Sequence, residues 1–147
     1  MGTRWFALVV GVVYLVIGIA GFIPALGVDR HTPDLAIESH YRDLFGLFPI
    51  NILHNVVHLS VGVLGIVAYR SFASARLYCK GLAIFYGVLA IMGMIPVLNT
   101  TFDLIPIFSH DIWLHALTAL AAAYSGWAVS EDDTGEPLRS DPPGTVR

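Results

Sequence analysis

The sequence predicts an all-α membrane protein of four transmembrane helices, arranged as two similar helical hairpins with an interfacial helix in the first outer loop. Three observations carry this. Hydrophobic residues fill 56% of the 147 positions against 13% charged, with a mean hydropathy of +0.71, a balance foreign to soluble domains of this length. The apolar residues gather into four segments, 5–26, 51–69, 77–98 and 111–129. Each approaches the roughly 20 residues that a helix needs to cross a hydrocarbon core about 30 Å thick. Finally, VVYLVIGIAGFIPAL (residues 12–26) aligns without a gap on IFYGVLAIMGMIPVL (84–98), with seven identities in fifteen positions.

The first segment follows Arg4 and begins like a signal sequence. Its apolar run exceeds a usual signal core and recurs in the third segment, so it is expected to stay as a helix. The loop after it is long. Thr32 can cap, Pro33 suits a first helical turn, and Asp34 favours the N-terminal dipole. Leu35, Ile37, Tyr41, Leu44 and Phe45 then supply an apolar face, so residues 31–48 are expected to hold a helix lying in the membrane interface.

The second segment, NILHNVVHLSVGVLGIVAY, carries two histidines one turn apart. The short loop after it holds Arg70 and Arg76, with Lys80 just beyond, whereas the loop before the fourth segment has no Lys or Arg. The positive-inside rule therefore puts both termini in the cytoplasm. The third segment repeats the first in the same direction, which implies a pseudo-two-fold axis along the membrane normal. Residues 1–129 form one transmembrane domain, and the polar, Pro-containing residues 130–147 read as a disordered cytoplasmic tail.

Function is sought where polarity is expensive. His54 and His58 share one helical face, as do Asp111 and His115, and ionisable side chains inside a bilayer are default functional candidates. With the expected topology all three histidines lie in the outer third of the bundle. Asn51, Asn55, His110 and Thr118 stand nearby as orienting groups.

Four uses remain open. The side chains can hydrogen-bond the second helix to the fourth, giving a structural or accessory membrane component. His54, His58, Asp111 and His115 can ligate a divalent transition metal such as zinc, copper, nickel or iron. His58 and His115 can hold a haem iron axially. Imidazoles near neutrality can also move protons or bind a small polar ligand.

Other classes fall away. Cys79 is the only cysteine, so no intramolecular disulfide or cysteine-cluster metal site is expected. A net charge of -3 without a basic cluster argues against nucleic acid. Ser60 and Ser109 lack a base and an orienting group at useful spacing, so ordinary enzyme activity is not expected. The expected partners are the lipid bilayer and either a membrane protein or further copies of the chain.

The motif N-x-x-H-N-x-x-H at Asn51, His54, Asn55 and His58, followed by Gly62 and Gly65 and much later by Leu114-His115, resembles a family of small bacterial integral membrane proteins of unknown function. The resemblance spans the four segments and omits the tail. It implies four membrane helices and brings no activity, substrate or cofactor with it.

Overall fold

The computed structural model describes residues 2–29, 35–38 and 40–130. Four α-helices dominate: α1 (Thr3–Ala20), α2 (Ile52–Ala68), α3 (Phe72–Gly93) and α4 (His110–Ala123). The last runs into a π-helical turn over Tyr124–Ala128. α1 packs mainly on α2, and α3 mainly on α4. Among the described residues α1 and α3 are long and apolar enough to cross a membrane, while α2 is equally apolar over 17 residues. The expected tail at 131–147 lies outside the described residues.

Local chemistry explains where the helices start and stop. α2 begins at Asn51, whose side-chain oxygen accepts from the His54 amide at 3.0 Å. α3 begins five residues before its apolar segment, because Ser71 caps it by accepting from the Ser74 amide at 3.1 Å. Arg76 is thereby drawn into the helix. α3 ends at Gly93, ahead of Pro96, whose ring disfavours helical backbone before it.

The interfacial helix is a correction. Thr32, Pro33 and Asp34 lie outside the described residues, and the described remainder of that stretch is not helical. Its last residues join the segments on either side in a three-stranded antiparallel sheet, β1 (Gly27–Val28), β2 (Arg42–Leu44) and β3 (Phe48–Ile50), in the order β1-β2-β3. A three-residue hairpin loop joins β2 to β3, with Phe45 and Gly46 both at positive φ, 55° and 72°. Hairpins with such loops use glycine for this conformation. Pro49 is accommodated because β3 is an edge strand. Leu44 and Ile50 are buried with Ala20, so the sheet caps the ends of α1 and α2.

Asn51 ties this cap together. Its amide nitrogen donates to the Ile37 carbonyl at 3.1 Å and to the Leu104 carbonyl at 2.7 Å, joining both loops at this end of the bundle. The Ala36 amide adds a bond to the Asp103 carbonyl at 2.9 Å. Asn51→Ala removes a helix cap and two carbonyl partners, and is expected to cost about 2–3 kcal/mol. Thermal unfolding of the variant in detergent micelles checks this; an unchanged midpoint would show that the loops hold without Asn51.

The burial pattern is inverted relative to a soluble bundle. Large aliphatic side chains stand exposed on every helix, Val16 at 58%, Leu64 at 60%, Leu77 at 74% and Leu120 at 68%. The interior holds glycines, alanines and polar groups, including Asn55 at 0% and Asp111 at 2%. Helices also approach closely. A Cβ built on Gly62 would stand 2.6 Å from the backbone nitrogen of Leu15, so α1 and α2 meet backbone to backbone.

Candidate metal centre

His54 and His58 project from one face of α2 because they are four residues apart, and His115 projects from α4 against them. The three side chains are buried, and one ring nitrogen from each lies within 4.8 Å of the others. The His54 and His58 rings are 4.4 Å apart at their centroids, and those of His54 and His115 6.3 Å apart. Tetrahedral coordination at about 2.0–2.1 Å places nitrogen pairs about 3.4 Å apart.

Hydrogen bonding distinguishes the three rings. His54 Nδ1 lies 3.1 Å from the Pro49 carbonyl oxygen. A carbonyl only accepts, so Nδ1 carries the proton and Nε2 is left with its lone pair. Metal-ligating histidines commonly donate their second nitrogen to a backbone carbonyl in this way. Both ring nitrogens of His58, and Nδ1 of His115, are buried without a hydrogen-bond partner. The interhelical hydrogen bonds expected of a purely structural cluster are not made by these atoms.

Aromatic rings close the inner side. Tyr14 of α1 stands 5.2 Å from His58 and Tyr86 of α3 stands 4.9 Å from His115, with the two tyrosine rings 5.2 Å apart. The Tyr14 and Thr118 hydroxyls share a hydrogen bond of 2.8 Å. Adjoining the cluster is a cavity of about 230 Å³, lined by all three histidines and otherwise mostly by aliphatic and aromatic side chains, Tyr86 among them.

The other residues named from sequence take different places. Asp111 is buried in the first turn of α4, one turn before His115, but is not in the three-histidine group. Thr118 serves Tyr14, and Asn51 serves the loops and the His54 amide. Asn55 is buried with its amide over the Cα of Gly21, in the space a side chain there would need. His110 is exposed beside Phe48 and Trp113. The Pro49 carbonyl and the cavity wall from the loop before α4 have no sequence signal, because a backbone acceptor looks the same in every residue.

Residues 4–128 match a protein family described as a domain of unknown function, DUF4383. The chain belongs to this family. The DUF4383 match runs through all four helices and includes the three clustered histidines. No curated protein and no solved structure matches the chain. The DUF4383 assignment agrees with the resemblance read from the sequence in pointing to a family whose function is unknown.

Proposed function

We propose that this chain is a four-span protein of the bacterial plasma membrane that binds one divalent transition metal ion at His54, His58 and His115. The observation that carries the metal reading is the convergence of three buried imidazoles, with one ring nitrogen of each within 4.8 Å of the other two and both nitrogens of His58 and Nδ1 of His115 without a hydrogen-bond partner. Burying a polar atom without a partner costs free energy, and a bound ion supplies the partner. Nitrogen donors suit zinc, copper, nickel and iron rather than magnesium or calcium. Asp111 is buried one turn before His115 with one carboxylate oxygen unpartnered, outside the group of three ligand atoms. The cavity, about 230 Å³, falls below the roughly 300–1,000 Å³ of ordinary ligand pockets, which favours an ion over a haem.

The membrane reading is supported by the exposed aliphatic faces of all four helices and by charge. At one end of the bundle Arg4 donates to the Tyr69 carbonyl and Arg76 to the Gly126 carbonyl, each at 3.0 Å. Lys80 lies 5.5 Å over the Trp127 ring at the same end. Basic and aromatic residues together mark a cytoplasmic boundary. Tyr14 and Tyr86 are matched by the sequence repeat and each stands against a histidine, His58 and His115, which supports two similar hairpins about an axis along the membrane normal.

The test is metal content. Protein extracted from washed membranes without chelator is expected to carry about one equivalent of a transition metal per chain, or to take up one equivalent of Co(II) or Zn(II) after stripping. His115→Ala is expected to lose it. A wild type that neither carries nor takes up an ion would overturn the proposal.

A further inference from the structure

Three histidines leave a four-coordinate ion one ligand short, and the surroundings narrow what completes it. Among the described residues the ligand group contains no carboxylate or thiolate. Neutral imidazoles bring no charge, so a divalent ion held by them alone would place two positive charges in a buried, apolar setting. Uncompensated charge there is costly.

The cavity is lined in part by all three histidines, so it adjoins the cluster and has room for a small added ligand beside it. Its volume of about 230 Å³ compares with about 30 Å³ for one water in the liquid. The remaining walls come from Val57, Phe85, Leu89, Ile105 and Ile107, with Tyr86 against His115. Thr101 also lines it, but its hydroxyl is committed to the loop: it lies 2.7 Å from the Thr100 and Ile105 carbonyls and accepts from the Ile105 amide at 2.9 Å. A ligand here finds a cation at one end and apolar contact elsewhere. Oxyanions with several acceptor atoms, such as sulfate or phosphate, would have most of them unpaired.

We infer that the three-histidine centre keeps one coordination position open toward this cavity and fills it with a small monovalent anion. Water supplies one as hydroxide, its proton passing to solvent. This inference rests on the metal reading above.

Azide titrated into the Co(II)-loaded full-length protein in micelles is the probe, read by visible d–d absorption. One azide per Co(II) is expected to bind with a saturable spectral change, and sulfate at matched ionic strength to leave the spectrum unaltered. Val57→Phe, which fills the cavity, is expected to retain Co(II) while weakening azide at least tenfold. Co(II) uptake with no azide response overturns the open position and leaves the metal reading intact; no Co(II) uptake overturns both. An equal response to sulfate, or azide binding undiminished in Val57→Phe, overturns the cavity as the anion's site.

Discussion

His58→Leu is expected to make the metal-free protein more stable, by about 1–3 kcal/mol, while abolishing its stabilisation by metal. The reasoning starts from both ring nitrogens of His58, buried and without partners. Leaving a polar group in that state costs about 1–3 kcal/mol, and replacing it by an apolar group of similar size removes the cost. The same replacement deletes one of three metal ligands. Wild-type protein at a free ion concentration one hundred times its Kd gains about 2.7 kcal/mol from mass action, and the variant gains almost none of this. Unfolding of both proteins with chelator and with Zn(II) measures the two effects separately. If histidines were kept to hydrogen-bond α2 to α4, His58→Leu would destabilise in chelator, and that outcome would sink the ligand-site reading.

The second large effect is expected at the contact between α1 and α2. In Gly62→Ala the new methyl would lie 2.6 Å from the Leu15 nitrogen and 2.8 Å from its Cα, both backbone atoms that no rotamer change can move. The helices must separate, at a cost of about 1–3 kcal/mol by analogy with overpacked cores. His58 lies on the same helix one turn away, so separation also displaces one metal ligand. Gly81→Ala is the control, since a Cβ there meets nothing within 4 Å. Alanine is favoured over glycine in a helix by about 0.8–1.0 kcal/mol, so this variant is expected to hold or gain stability. Equal gains in both variants would show that helix propensity, not close approach, governs these glycines.

The two predictions draw on different layers of the molecule. Gly62 could be marked as a packing residue from sequence, since glycines in apolar helices let backbones approach. Which backbone it meets came from the fold. Likewise, His54 and His58 share a face by helical spacing alone, whereas the contribution of His115 and the omission of Asp111 depend on how α4 lies against α2. The spacing of Asp111 and His115 put both on one edge, but only His115 brings a ligand atom within 4.8 Å of those of His54 and His58.

By itself the sequence determined the four helices, to within a few residues for α2, because long apolar runs have one dominant way to satisfy their backbone hydrogen bonds. It also picked out the three histidines, since ionisable groups stand out in an apolar stretch. Its reading of α3 was displaced by five residues because hydropathy registers side chains and not the Ser71 cap. The small sheet was decided only by tertiary structure. Its strands have two or three residues each, too few for an alternation to show, and they are held by the Phe45–Gly46 turn and by burial of Leu44 and Ile50 against Ala20. Tertiary structure also decided the cavity and the Pro49 bond to His54, because both depend on distances between segments far apart in the chain, which local sequence preference does not control.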